Sequence, residues 1–299
     1  MTGLLSSSNF QWVLTSAVLL GMAAGMVGTM ANLRKQGLMS DAISHAALPG
    51  VILAFLISGE KQLPVLITGA AISGLIAAFF IQSIKRTTRI KEDAAMGIIL
   101  SVFFGGGIML LSIANRVGGG SQSGLDRFIF GQAASMVRMD AYIMGALAVV
   151  VMLLIFVSFK EWKVVLFDPR HAKMMGIPVR LYSSLYTLLL VLVIVIGIQA
   201  VGVILMAAML IIPAISSRYW THSLFTVFVL SAVFGGVSGG IGTLISSSGS
   251  NLPTGPFIVV TSSLIFLLSL FFGTKKGLLF RGEKLHANRR YLKQGGDHK

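Results

Sequence analysis

The sequence predicts an all-α polytopic membrane protein of about nine transmembrane helices, with eight as the alternative count. Three observations carry this. Of 299 residues, 55% are hydrophobic and 11% charged, where a soluble globular chain carries roughly 25% charged residues. The apolar residues fall into long runs, each near the ~20 residues that cross a bilayer as a helix. The basic residues gather in short segments between those runs and in the last 25 residues, the pattern of positive-inside topology. The net charge of +14 is therefore explained by a membrane partner and not by nucleic acid. Cysteine is absent, which excludes disulfides and thiolate metal sites.

In chain order the predicted spans are 9–32, 38–58, 63–84, 94–114, 141–159, 181–199, 200–217, 223–245 and 256–273. No basic segment precedes the first, and Leu33-Arg34-Lys35 follows it as a stop-transfer signal, so it is read as a retained helix. Gly197-Ile198-Gln199-Ala200-Val201-Gly202 is a weak separator between the sixth and seventh spans. With the N-terminus outside, the inside segments are 33–37, 85–93, 160–180, 218–222 and the tail from Gly273, holding 20 of the 24 Lys and Arg. Lys61, Arg116, Arg127 and Arg138 remain outside. That asymmetry predicts N-out, C-in. The organisation expected is a transmembrane domain over 1–274 and a basic cytoplasmic tail over 275–299, suited to anionic lipid headgroups.

Small residues mark the packing. Gly21-Met22-Ala23-Ala24-Gly25 and the run Gly235–Gly240 hold GxxxG spacings, which predict close helix contacts within one protomer. Gly105-Gly106-Gly107 is expected to bend or loosen the fourth span. Between Asn115 and Asp140, Gly118-Gly119-Gly120 reads as loop and Leu125–Gly131 as an interfacial or partly re-entrant stretch, with partner docking as the alternative. Pro213 is expected to kink its span. Residues 246–256 read as a turn-rich external loop.

The segment 160–180 is the longest internal loop predicted. Within it, Asp168 before Pro169 is a helix start, Asp as N-cap and Pro in the first helical position. Gly176 and Pro178 then form a stop signal. Such a helix, about two turns long, is marginal alone in water, so docking on its own protein or a cytoplasmic partner is expected.

The chemistry concentrates in Met39-Ser40-Asp41-Ala42-Ile43-Ser44-His45-Ala46-Ala47-Leu48-Pro49-Gly50. Asp41 is the acid, and His45 the histidine, that fall inside a predicted span. Four residues apart, they share one helix face, and an acid within a membrane costs about 2.5–3.5 kcal/mol by insertion scales. Carboxylate plus imidazole suits a divalent cation. Pro49 lacks an N–H, so the carbonyl of His45 loses its helical partner and becomes a third candidate oxygen. One helix supplies too few ligands for a tight site, whereas two copies on a symmetry axis would supply two Asp and two His. Two other readings stand beside metal binding: Asp41 as a helix cap at the membrane edge, and the pair as a proton relay. No G-x-x-x-x-G-K-[ST] segment and no His-Glu-x-x-His is present, so ATP hydrolysis is not expected on this chain.

Ser40 through Gly50 resembles the signature early helix of the metal-ion permeases of bacterial ABC importers, the manganese, zinc and iron uptake class. The segment Phe167 to Ile177 (Asp168, Pro169, Arg170, His171, Ala172, Lys173, Met174, Met175, Gly176 and Ile177) is similar to that family's coupling helix. Ile212-Pro213-Ala214 and Leu252-Pro253-Thr254-Gly255 agree, and the likeness covers about 10–275. The resemblance implies a type II ABC importer-like permease fold in the bacterial plasma membrane. It implies a second permease copy or paralogue, two cytoplasmic ATPase subunits and an extracellular metal-binding lipoprotein. It implies no resident cofactor: manganese, zinc or iron is the substrate, held in passing by Asp41 and His45. The competing expectation is a self-contained proton-coupled carrier or cation channel that uses the same pair as a relay.

Overall fold

The computed structural model describes residues 8–59, 62–117, 136, 138–248 and 252–279. All regular structure among them is helical: α1 (Ser8–Leu33), α2 (Gly37–Ser58), α3 (Leu63–Thr87), α4 (Glu92–Val117), α5 (Arg138–Val157), α6 (Phe159–Phe167), α7 (Pro169–Met174), α8 (Val179–Val201), α9 (Val203–Ser217), α10 (Leu224–Ser247) and α11 (Thr254–Phe272). Eight are long and apolar enough to cross a bilayer. The predicted interfacial stretch Leu125–Gly131, the Gly118–Gly120 loop and the tail beyond residue 279 lie outside the described residues.

The predicted seventh span is the short α9, whose 15 residues extend about 22 Å. It nevertheless runs between the same two ends of the bundle as its neighbours. At its C-terminus Arg218 Nη1 donates to Asn32 Oδ1 of α1 (3.2 Å). Near its N-terminus, the carbonyl of Val201 abuts the first turn of α11 at Gly255. The turn from α8 into α9 falls at Gly202, whose φ of +92° lies in the region that favours glycine. The separator predicted from Gly197 to Gly202 therefore acts at its last residue, and the predicted seventh span is the shorter apolar helix beside the eight that are long enough to cross a bilayer among the described residues.

The glycine motifs zip α1 onto α10. A Cβ on Gly21 would overlap the Gly235 carbonyl, and one on Gly25 the Ser231 carbonyl, so these are contacts within one protomer. The buried Thr29 Oγ1 donates to Ser231 Oγ across the same seam (2.9 Å). Gly105 to Gly107 do not break α4, which is helical from Glu92 to Val117. Gly107 instead makes room for α2: a Cβ there would sit 3.0 Å from Leu48 Cδ2 and 3.1 Å from Pro49 Cδ. Pro213 lies inside α9, which stays helical to Ser217.

The segment read as one long internal loop contains a helix of its own, α6. Trp162 and Val165 are its buried residues, three apart as a helix face requires. The Trp162 ring packs edge-on against Tyr182 of α8 at 5.1 Å. The short helix α7 thus hangs from an anchored element rather than from a loop.

Candidate metal-translocation site

Helix α2 begins at Gly37 with Gln36 as its N-cap residue. Asp41 is therefore inside the helix and not its cap, about 6 Å along the axis from Gly37, with His45 about 12 Å along. This removes the capping reading. The two side chains face each other, His45 Nε2 to Asp41 Oδ1 at 3.5 Å. That separation is long for a hydrogen bond. It is close to the ~3.4 Å between two ligand atoms held about 2.1 Å from one metal at a tetrahedral angle. Asp41 keeps 35% of its side-chain surface exposed and His45 15%, so the pair is half-buried and open on one side.

The walls come from α3 and α4. Phe104 of α4 meets the His45 ring edge-on at 4.7 Å, and this contact was not legible in the sequence. Below it, α2 passes through Pro49 without ending. Ser73 Oγ of α3 donates to the Ala46 carbonyl (2.6 Å), and a Cβ on Gly50 would overlap the Gly69 carbonyl, so α2 and α3 touch backbone to backbone beside the site. Ser40 and Ser44 are buried and return their hydroxyls to their own helix, at the carbonyls of Gly37 and Ser40 (2.7 Å each).

Among the described residues no group of three or more His, Cys, Asp or Glu comes together. His45 Nδ1 is buried without a hydrogen-bond partner, whereas a histidine in a tight metal site donates its second nitrogen to a neighbour. The pair is thus two side chains with an open face and no hydrogen-bond support on the imidazole's second nitrogen.

The second predicted feature, α7, forms as the sequence indicates. Asp168 Oδ1 accepts from the backbone N–H of Arg170 and His171, both at 3.0 Å, and Pro169 occupies the first helical position. The His171 N–H above all, then that of Arg170, holds the Asp168 carboxyl below the usual range. At the other end Ile177 N–H reaches back to the Ala172 carbonyl (3.0 Å), and Gly176 takes a φ of +80°, a glycine C-cap. Ala172 is the buried residue of α7. Arg170, His171, Lys173, Met174 and Met175 are exposed, the two methionines at 78% and 60%.

Comparison with known proteins places this architecture. Residues 6–273 match the ABC 3 transport family. The chain is 49% identical over 286 residues to the manganese transport system membrane protein MntC of Bacillus subtilis, covering 96% of this chain and 66% of that protein, so it spans about two thirds of that relative's length. It is 41% identical over 278 residues to the zinc transport system membrane protein TroC of Treponema pallidum, covering 93% of each. A solved structure of PsaBC from Streptococcus pneumoniae in complex with Fab superposes with a TM-score of 0.81 at 37% identity, covering 95% of this chain and 98% of that one. The chain belongs to the ABC 3 transport family and is a multi-pass protein of the plasma membrane.

Proposed function

We propose that the chain is the permease subunit of an ABC importer that moves a divalent transition metal into the cytoplasm. Manganese is the first candidate, with zinc and iron next. Asp41 and His45 hold the ion in transit, and ATP is hydrolysed on separate cytoplasmic subunits. The observation that carries this reading is the Asp41–His45 pair on α2, spaced for a shared cation at 3.5 Å and open on one side. A second permease facing that opening would complete the ligand set, and an extracellular metal-binding lipoprotein would deliver the ion. The capped α7, with exposed Arg170, Lys173, Met174 and Met175, is the surface offered to the ATPase. Alternating access then follows from α7 displacement repacking the helices that frame the site. A self-contained proton-coupled carrier has no use for such a helix.

Growth rescue by single metals tests this reading, in a strain lacking its own importer and supplied with this chain, with and without the ATPase. Rescue by one divalent metal that requires the ATPase is expected. Rescue without the ATPase would overturn the proposal in favour of an autonomous carrier.

A further inference from the structure

The basic end of the bundle holds a cavity of about 460 Å³, with Arg34, Gln36, Lys85, Arg86, Glu92 and Tyr186 in its walls. Its charges are unbalanced. Glu92 pairs with Lys85 and accepts from Gln36 Nε2 (2.6 Å), so the one carboxylate in the walls is already engaged. Arg34 Nη2 donates to Ser183 Oγ (3.3 Å), and its guanidinium lies 4.6 Å over the Tyr186 ring. Among the described residues neither Arg34 nor Arg86 has a carboxylate partner. Arg34 is half-buried, and burial pulls its pKa below the ordinary value while Tyr186 and Glu92 oppose that. A half-buried cation without a counter-ion is costly, and an incoming anion offsets that cost.

Two buried atoms in the walls lack a hydrogen-bond partner, Gln36 Oε1 and Tyr186 Oη. The Glu92 contact fixes the Gln36 amide, because its nitrogen must face the carboxylate. The orphan oxygen therefore needs a donor, while the Tyr186 hydroxyl has a proton to give. A ligand that satisfies this wall carries anionic oxygens for the cations and Tyr186, and a hydroxyl for Gln36. The cavity lies where α1 and α3 end and α4 and α8 begin, the depth at which lipid phosphates sit.

We propose that this cavity binds a phosphodiester with a hydroxylated headgroup, the chemistry of phosphatidylglycerol. The full-length chain, purified and delipidated in detergent, is titrated with short-chain phosphatidylglycerol, short-chain phosphatidylcholine, glycerol phosphate and inorganic phosphate, with bound ligand read by native mass spectrometry. Phosphatidylglycerol is expected to bind at least about tenfold more tightly than phosphatidylcholine. Arg34→Gln and Arg86→Gln should each weaken it about fivefold, the factor that ~1 kcal/mol per cation gives. Tyr186→Phe keeps the buried ring and should also weaken binding, so the proposal is testable even if Arg34→Gln does not fold. Arg116→Gln, outside the cavity and at the opposite end of the bundle, should bind as wild type does. Glycerol phosphate matching phosphatidylglycerol would support the same chemistry with a soluble source, and weak binding of glycerol phosphate would assign it to lipid. Equal binding of the two lipids, or wild-type binding by Arg34→Gln, Arg86→Gln and Tyr186→Phe, would overturn the proposal. So would variants that spare lipid binding and lose ATPase association, since they would assign the cavity to an acidic partner side chain.

Discussion

Asp41 and His45 were legible because of cost: an acid and a histidine inside apolar runs stand out against their surroundings. Their partnership also followed from spacing alone, since residues four apart share a face. Their position relative to the helix start did not follow. Ser40 and Asp41 are good cap residues and Gly37 a poor helix former, yet the helix starts at Gly37 because packing of Met39, Ser40 and Ala42 against the core outweighs local preference. Asp168 is the reverse case, a cap read correctly because its side chain bonds only to its own helix. Removing that cap with Asp168→Ala should lower ATPase association several-fold in co-purification, while Asp168→Asn, which also caps, retains it. The carboxyl has a depressed pKa, so its contribution is present above the unfolded value of about 3.9 and is lost only as pH falls through the lower folded value. Association measured from pH 5 to 8 should show no titration attributable to Asp168.

At the scale of elements, hydropathy found every long helix and missed the meaning of two short segments. Helix α6 was hidden because Phe159–Phe167 mixes Lys160, Glu161 and Lys163 with apolar residues. Only the Trp162 and Val165 spacing marked it. The α8–α9 turn was ambiguous because Gly197, Gln199 and Gly202 are only weak breaks in a continuous apolar stretch, and the positive φ of Gly202 is a property of the fold. Glycine roles likewise depend on what lies opposite. Gly25 faces a backbone carbonyl of α10, so Gly25→Val should destabilise the protein by about 1–3 kcal/mol or more, visible as a lower melting temperature in detergent. Gly105 faces open space, and Gly105→Ala should be neutral or stabilising by up to about 1 kcal/mol. Equal losses in both would contradict the α1–α10 seam.

Over the whole molecule, the basic residues set the proposed orientation and the cavity at Arg34 lies at the same end as α7. Because the chain has no cysteine, single substitutions report topology cleanly. Ser248→Cys should react with an impermeant maleimide on intact cells, and Arg89→Cys only after permeabilisation; the opposite result would invert the topology. Sequence alone could not say how the proposed metal ligands sit in three dimensions, because Phe104, Ser73 and Gly107 reach α2 from distant positions. Nor could it supply the ligands of a second chain, which the proposed half-site on α2 calls for. The measurement that bears most directly on that half-site is radiolabelled manganese uptake by Asp41→Ala and His45→Ala, with membrane expression and ATPase association measured in parallel. Loss of uptake in both variants, about tenfold or more, with expression and association at wild-type levels is the expected result. Normal uptake in both would contradict the assignment of Asp41 and His45 to the metal path.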